Sequence, residues 1–331
     1  MSDSLLDVRD LRVAFPTPDR VVHAVNGVSF ALREGRTLAV IGESGSGKTV
    51  TSRAIMGLLP PNARVSGSAV LLEEELLGIG EDALRARRGR DVAMIFQDPA
   101  RSLNPTMKIG TQIVEAIRIH EKVARAEAAE RAVELLRLVR VPAPAQRVRE
   151  YPHQMSGGMR QRVMIAIALA CRPRLLIADE ATTALDVTTQ AQVMDLLLDL
   201  QDQLGMGLLL ISHDMGIAAT YADEVMVMYA GEVVERAPTG ELFTGVRMPY
   251  TRVLLDAIPT LDREPHSLFP VVRARPPALV ADRTDCAFAP RCVRAENRCH
   301  AEHPELRGHE NDHHWACHFP YPAQPSGGRS G

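Results

Sequence analysis

The sequence predicts an α/β fold: a largely parallel sheet with helices between its strands, an antiparallel β layer, a helical insertion and a small cysteine-rich C-terminal module. Three observations support this fold class. Short apolar runs recur and each ends in a polar or glycine-bearing loop, helical patterns separate several of the runs, and the composition changes near residue 256. The 331 residues are enough for one large domain and a smaller one.

The sheet is predicted from apolar runs that are nearly continuous, which is typical of parallel strands buried on both faces. The runs are "TLAVIG" (37–42), "VAMIFQ" (92–97), "LLIADE" (175–180), "LLLISH" (208–213) and "VMVMY" (225–229). Helical patterns lie between several of them. Because strands that alternate with helices place their functional loops at the carboxyl ends of the strands, we expect the site there.

The remaining regions differ in pattern from the sheet. Residues 5–35 show β-type alternation and predict an antiparallel layer, whereas residues 107–150 are strongly helical without a strand pattern. We therefore predict a nucleotide-binding domain over residues 1–255, with a helical subdomain over about residues 98–170. Prolines, histidines and cysteines dominate a second module at residues 256–320, and residues 321–331 are expected to be disordered.

Composition excludes several classes of protein. The net charge of −3 provides no overall positive field for nucleic acid, so no nucleic-acid partner is expected. The N-terminal sequence "MSDSLLDVRD" contains acidic residues and lacks the apolar core of a secretory signal. No apolar run approaches the roughly 18 residues that span a bilayer. If the protein acts at a membrane, other chains are expected to cross it.

A phosphate-binding loop is predicted at residues 42–49, where "GESGSGKT" fits G-x-x-x-x-G-K-[ST] between a strand and a helix. Its glycines allow successive backbone N–H groups to surround phosphate oxygens. Lys48 is expected to reach the β- and γ-phosphates, and Thr49 is expected to bind Mg²⁺. The alternative, a glycine-rich turn with a chance lysine, does not explain the strand and helix on either side.

Polar residues at the ends of other strands supply the remaining chemistry of phosphoryl transfer. Asp179 is expected to hold Mg²⁺ through water, and Glu180 to polarise an attacking water. His213 is expected to bond a γ-phosphate or to serve as a structural histidine. Gln97 is expected to bind Mg²⁺ or orient water, with a simple strand cap as the alternative.

A second candidate anion site follows at "MSGGMRQR", residues 155–162, where a serine and two glycines precede a helical pattern. These elements, together with "LLIADE" and "TALD" (183–186), stand in an order that resembles the nucleotide-binding subunit of an ABC transporter. The resemblance implies a P-loop NTPase cassette with a RecA-like α/β core, an antiparallel β subdomain and a helical insertion. It also implies a transport-coupled ATPase whose two subunits pack head to tail.

The family resemblance assigns roles to further residues. In this arrangement, the signature of one subunit binds the γ-phosphate of ATP held by the other, and Asp186 lies in the loop that couples the two sites. Phe15 stands where the family offers an aromatic ring to adenine. The implied signature residues are Ser156, Gly157, Gly158 and Met159, and the implied ATP-binding residues are Phe15, Gly42, Ser44, Gly45, Ser46, Gly47, Lys48, Thr49 and Val50.

A closer resemblance is to the oligopeptide and dipeptide importer branch, through "FQDPARSLNPTMKIGTQIVE", "YPHQMSGGMRQRVMIAIALA", "TTALDVTTQAQVMDLL" and "MPYTRVLLDAIP". It implies two membrane permeases, a second related but non-identical ATPase subunit, and an extracytoplasmic solute-binding protein. It also implies a peripheral location on the cytoplasmic face of the inner membrane. Two alternative functions are a soluble ABC-type ATPase that acts on ribosomes or DNA, and a metal-sensing regulatory protein.

The C-terminal cysteines Cys286, Cys292, Cys299 and Cys317 form a second candidate site. Their spacings lack the C-x₂-C of common zinc modules, although four thiolates within about thirty residues can surround one tetrahedral site or a cubane cluster. The resemblance implies a 4Fe–4S cluster, with zinc as the alternative. A third interpretation is four reduced thiols in a small hydrophobic cluster. Cys171 is expected to pack as a small hydrophobic residue.

Overall fold

The structure is a computed structural model that describes residues 4–182, 185–258, 279–281, 283–308 and 310–322. The predicted disordered tail therefore lies mostly outside the described residues. So do the first two residues of "TALD" and the segment 259–278, where the predicted second module begins. Within the described residues, no helix combines the length and the apolar character needed to cross a bilayer.

The strands are defined as follows. They are β1 (Leu6–Pro16), β2 (Val21–Leu32), β3 (Thr37–Ile41), β4 (Arg64–Leu71), β5 (Glu74–Glu75), β6 (Val92–Ile95), β7 (Leu175–Asp179), β8 (Gly207–Ser212), β9 (Glu224–Tyr229), β10 (Glu232–Pro238), β11 (Arg307–Gly308) and β12 (His314–Trp315).

The helices alternate with many of these strands. They are α1 (Lys48–Ile55), α2 (Glu81–Arg87), α3 (Pro99–Ser102), α4 (Ile109–His120), α5 (Arg125–Leu138), α6 (Pro144–Arg147), α7 (Gly157–Ala168), α8 (Val187–Leu204), α9 (Met215–Tyr221), α10 (Thr239–Thr244), α11 (Pro249–Asp256) and α12 (Asn297–Ala301). Short 3₁₀ turns occur at Pro152–Gln154, Ala289–Arg291 and Glu310–Asp312.

The chain divides into two compact units. The first contains the N-terminal residues up to Leu6 together with Leu32–Arg36 and Gly78–Ile211. The second contains Asp7–Ala31, Thr37–Leu77 and the chain from Ser212 onward. The predicted phosphate loop and the four C-terminal cysteines therefore belong to the same unit, whereas Cys171 belongs to the first.

The first unit is built on parallel strands and helices. β7 pairs in parallel with β6 on one side and with β8 on the other. Every residue of these three strands is buried, as expected for apolar strands in a parallel sheet. α4 buries Ile109, Ile113 and Ile117, one helical turn apart, and packs against α5 and α7. The predicted helical character of residues 107–150 is confirmed.

The second unit contains two groups of strands. β3 and β9 are parallel, and β10, β12 and β11 continue outward from β9 as antiparallel neighbours. A separate four-stranded sheet has the order β2-β1-β4-β5. The expectation of a β layer near the N-terminus is thus met, and the parallel pairing predicted for the apolar runs at β3 and β9 is confirmed.

A buried carboxylate ties the C-terminal strands to this unit. Glu235 of β10 is 0% exposed and accepts hydrogen bonds from the backbone N–H groups of Arg247 (2.7 Å) and Met248 (3.1 Å). The imidazole Nε2 of His313 lies 2.8 Å from the same carboxylate. Because a buried charge that loses its partner costs about 3 kcal/mol or more, this network fixes β12 beside β10.

Candidate functional site

The predicted phosphate loop fits tightly against neighbouring backbone. Gly47 has a φ of 107°, and a Cβ atom there would lie 2.6 Å from the carbonyl oxygen of Ala24 in β2. A Cβ atom at Gly42 would lie 2.3 Å from the carbonyl oxygen of Met228 in β9. Real Cβ atoms do not approach oxygen so closely. Glycine is therefore required at both ends of the loop for it to lie on these strands.

The interior of the loop contains the side chains that were predicted to bind phosphate. Lys48 is 4% exposed, and its ammonium donates hydrogen bonds to the carbonyl oxygens of Gly42 (2.6 Å) and Glu43 (2.9 Å). The buried hydroxyl oxygen of Ser46 has no hydrogen-bond partner among the described residues. Because buried polar groups are rarely left without partners, this hydroxyl can bond a ligand oxygen or a water molecule. Gly47, the residue before α1, has no side chain that could cap the backbone N–H groups at the helix start.

The other predicted ATP-binding residues in the second unit lie in the loop itself, at the start of α1 and in β1. Ser44 and Gly45 are exposed, and Thr49 and Val50 are partly buried in the first turn of α1. Phe15 lies in β1 with its side chain partly exposed. His213 follows the last residue of β8 and is exposed. The contact of Phe15 with adenine and the bond of His213 to the γ-phosphate stay predictions.

Two predicted catalytic residues meet in the first unit. Asp179 is the last residue of β7 and is 3% exposed. Glu180 follows with a φ of 49°, a left-handed conformation that costs a non-glycine residue about 1 kcal/mol. Its backbone N–H donates to the carbonyl oxygen of Ile211 (3.0 Å), and the side-chain amide of Gln97 donates to its carboxylate (2.8 Å). Strain of this kind is common at functional sites.

The serine–glycine segment forms a capped helix start. The hydroxyl of Ser156 accepts a hydrogen bond from the N–H of Met159 (3.3 Å) and begins α7. A Cβ atom at Gly158 would lie 2.9 Å from the Thr189 methyl carbon at the start of α8. Small residues therefore bring the starts of these two helices together. Gly157 is exposed at the same surface.

Asp186, predicted from the family order to couple two sites, has a local structural role. It begins α8 as the capping residue and accepts hydrogen bonds from the backbone N–H of Thr189 (3.0 Å) and from its hydroxyl (2.7 Å). These hydrogen bonds hold the pKa of Asp186 below its ordinary value. This N-cap was not predicted from the sequence, although aspartate directly before a helical pattern is a preferred capping residue.

A contact to the phosphate loop from the C-terminal segment was not predicted from the sequence. The Arg291 guanidinium makes two hydrogen bonds to the carboxylate of Glu43, at 2.8 and 2.9 Å. It makes a third to the hydroxyl of Tyr229 (3.0 Å). The backbone N–H of Glu43 donates to the hydroxyl of Tyr250 (2.9 Å). Nothing in the local sequence marks Glu43 as the partner of an arginine 248 residues away.

The chain is similar to known proteins over most of its length. The sequence matches the ABC transporter family over residues 25–183 and the oligopeptide/dipeptide transporter C-terminal region over residues 234–299. It is 46% identical to the oligopeptide transport ATP-binding protein OppD of Escherichia coli, over 92% of this chain and 90% of that protein. It is 49% identical to OppD of Bacillus subtilis, over 86% of this chain and 80% of that protein.

The chain belongs to the ABC transporter ATP-binding proteins, in the oligopeptide/dipeptide family. It is an ABC-type ATPase. A solved dimeric ATP-binding cassette bound to ADP and phosphate matches 71% of this chain and 98% of that chain, with a TM-score of 0.64 and 24% identity. CbiO1 of Clostridium perfringens matches 73% and 91%, with a TM-score of 0.62 and 26% identity. The predicted cassette fold is confirmed.

The prediction of an iron–sulfur cluster in this ABC ATPase is wrong. Within the described residues, no group of three or more cysteine, histidine or acidic side chains is arranged to hold a metal ion, which also excludes the zinc alternative. The C-terminal cysteines instead line a common cavity with a volume of about 10 Å³, room for at most one water molecule. They belong to the hydrophobic core of the second unit beside Phe288.

Burial explains why these thiols behave as apolar groups. Loss of hydration raises the pKa of Cys286 to about 11 and that of Cys317 to about 12, from an ordinary value of 9.0. Burial also raises the pKa of Cys292. Protonated thiols are weak nucleophiles and pack as small hydrophobic residues. The third interpretation, reduced thiols in a hydrophobic cluster, is the one that fits the structure.

This arrangement predicts slow alkylation of the native thiols. At pH 8, a pKa near 11 leaves a thiolate fraction about a hundredfold smaller than a thiol of ordinary pKa has. Iodoacetamide should therefore modify Cys286 and Cys317 at least about a hundredfold more slowly in the folded full-length protein than after unfolding. Peptide mass spectrometry measures both rates. Modification of the folded protein at the unfolded rate would contradict the buried-thiol interpretation.

Proposed function

We propose that this ATPase powers the import of oligopeptides or dipeptides through a membrane transporter. The observation that carries the proposal is the extent of the similarity. It continues beyond the cassette into residues 234–299, which match the oligopeptide/dipeptide transporter C-terminal region. The relatives that match most of the chain are named oligopeptide transport ATP-binding proteins.

The phosphate loop at residues 42–49 binds the triphosphate in this proposal. The amides of the loop and the start of α1 donate to phosphate oxygens, and Lys48 neutralises charge that develops on them. The buried Ser46 hydroxyl supports this role because it lacks a partner among the described residues. Phe15 stacks on the adenine ring, which its partly exposed position in β1 allows.

The residues proposed to hold Mg²⁺ are Thr49, Gln97 and Asp179. They provide a hydroxyl, an amide carbonyl and a carboxylate, which are the oxygen ligands that Mg²⁺ prefers. The amide nitrogen of Gln97 already donates to Glu180, so its oxygen is the end available to a metal. When bound, Mg²⁺ offsets negative charge on the phosphates.

Glu180 is proposed as the general base for hydrolysis. The strained backbone and the hydrogen bond from Gln97 fix its carboxylate at the end of β7. From there it accepts a proton from the attacking water. His213 is proposed to donate a hydrogen bond to the γ-phosphate, in keeping with its exposed position after β8.

A second ATPase subunit is proposed to complete each site. The exposed start of α7 presents Ser156 and the amides of Gly157 and Gly158 to a partner's nucleotide, with Met159 beside them. Ser156 accepts a bond within its own helix, yet a hydroxyl can donate as well as accept, so it can bond a phosphate oxygen at the same time. Asp186 lies at the adjoining helix start and couples the two sites.

The proposed assembly contains further chains. Two permease subunits cross the membrane, and an extracytoplasmic binding protein delivers the peptide. A related, non-identical ATPase serves as the second cassette. This ATPase then lies peripherally on the cytoplasmic face of the inner membrane. The nucleotide-binding domain over residues 1–255, with its helical subdomain over about residues 98–170, docks on the permeases, and residues 256–320 remain a proposed accessory region.

Replacement of Glu180 by glutamine is expected to separate binding from hydrolysis. Glu180→Gln removes the proton acceptor and should lower kcat by about 10²–10⁴-fold, while ATP affinity changes little. Asp195→Asn, which removes an exposed carboxylate from α8, is the matched control and should retain full turnover. Phosphate release and equilibrium ATP binding measure the two properties. Near-normal turnover in Glu180→Gln would rule out this general base.

Co-purification from membranes tests the proposed transport role. The tagged full-length protein, extracted in mild detergent from its native host, should retain two permeases and a second ATPase. Peptides supplied with the matching binding protein should stimulate ATP hydrolysis by the reconstituted complex. Association with ribosomes or DNA instead, without permeases, would refute the proposal.

A further inference from the structure

We propose that Arg291 is a positioning residue for the nucleotide site, holding the phosphate loop in its binding shape through the carboxylate of Glu43. The inference rests on the proposed assignment of residues 42–49 to ATP. It goes further in one respect: the cysteine-bearing C-terminal segment of the same chain, which contains Arg291, sets part of the affinity for ATP.

The contact between Arg291 and Glu43 has the geometry of a strong ion pair. The two terminal guanidinium nitrogens each donate to a different carboxylate oxygen, Nη1 to Oε2 at 2.8 Å and Nη2 to Oε1 at 2.9 Å. Such a paired arrangement fixes orientation as well as distance. The side chains are 6% exposed for Arg291 and 28% exposed for Glu43, so water and salt screen the pair only partly.

Glu43 is held at its backbone as well as at its side chain. Its N–H donates to the hydroxyl of Tyr250 (2.9 Å), and its carbonyl oxygen accepts from Lys48 (2.9 Å) and from the N–H of Ser46 (3.2 Å). Glu43, which precedes the exposed tip of the loop, is therefore held by hydrogen bonds at its N–H, its carbonyl oxygen and its carboxylate. Lys48 and Ser46 are two of the groups proposed to bind phosphate, so a displacement of Glu43 would displace them too.

An aromatic cluster of Tyr229, Tyr250 and Phe288 supports the arginine. The three ring centroids lie 4.5 to 5.4 Å from one another. The guanidinium of Arg291 lies 5.6 Å from the ring of Tyr229 and 5.9 Å from that of Phe288. Phe288 and Arg291 lie between the first two cysteines of the C-terminal segment. The segment thus provides both the cation and part of the surface that orients it.

The pair also has an electrostatic consequence. A carboxylate within a phosphate-binding loop would repel the bound triphosphate if it were uncompensated, because Coulomb interactions are strong where the groups are partly buried. The guanidinium of Arg291 offsets that charge. Removal of Arg291 therefore weakens ATP binding in two ways: it loosens the loop, and it leaves the negative charge of Glu43 unpaired. Removal of the Glu43 charge as well relieves only the second effect.

Arg291→Gln in the full-length protein is the primary test. We expect it to raise both the Kd for a fluorescent ATP analogue and the KM for ATP by about tenfold, in the usual range of coupling between sites. The kcat should change by less than about twofold, because Arg291 is proposed to position the loop and has no proposed part in the chemical step. Arg298→Gln is the matched control, since it removes an equal charge from the same segment in an exposed pair with Glu302. The control should leave Kd and KM unchanged.

A double-mutant cycle separates positioning from a general structural role. Glu43→Gln restores charge balance, so Arg291→Gln combined with Glu43→Gln should bind ATP at least as well as Arg291→Gln alone. Arg291→Lys keeps the charge without the paired geometry and should recover only part of the affinity. Additive losses in the double variant, with a lowered thermal unfolding midpoint, would show that Arg291 only stabilises the fold and would overturn the proposal.

A loop variant distinguishes failure of this inference from failure of the proposed ATP site. Lys48→Ala should abolish detectable binding of the analogue if residues 42–49 form the site. Unchanged binding in Lys48→Ala would refute the site assignment itself. Loss of binding in Lys48→Ala together with unchanged Kd and KM in Arg291→Gln would refute the role of Arg291 alone.

Discussion

The structure of this ATPase depends on the close approach of one loop to the backbone of its neighbours. Carbonyl oxygens of β2 and β9 occupy the space that side chains at Gly47 and Gly42 would need. The loop therefore lies directly against these strands, and we expect its amides, Lys48 and Ser46 to hold their positions without nucleotide. Groups fixed in advance bind a ligand at a lower entropic cost than groups that must be ordered on binding.

The two compact units carry different groups of the proposed ATPase site. The second unit carries the phosphate loop together with the aromatic cluster and the cysteine-bearing segment that supports it. The first unit carries the acidic strand end, where Gln97 holds Glu180, and the exposed start of α7. In each unit the residues proposed to act on ATP lie at strand or helix ends. There, rigid elements fix the backbone while side chains remain accessible.

The sequence predicted features encoded by local patterns. Continuous apolar runs predicted the parallel strands, and the spacing in "GESGSGKT" predicted the loop between β3 and α1, because both depend on residues close in the chain. The pairing of Glu43 with Arg291 was not predictable, since it joins residues far apart and the motif accepts any residue at position 43. The metal prediction failed for a related reason: cysteine spacing does not reveal the burial and volume of the cavity that the thiols line.

Amide hydrogen exchange at Glu43 tests the pre-formed loop most directly. In the full-length protein without nucleotide, the Glu43 N–H bonded to Tyr250 should exchange at least about a hundredfold more slowly than in an unstructured peptide. The amides of Ser44 and Gly45, at the exposed tip, should exchange quickly and serve as the internal comparison. Exchange of Glu43 at the unstructured rate, slowing only when ATP is added, would show that nucleotide orders the loop and would contradict this account.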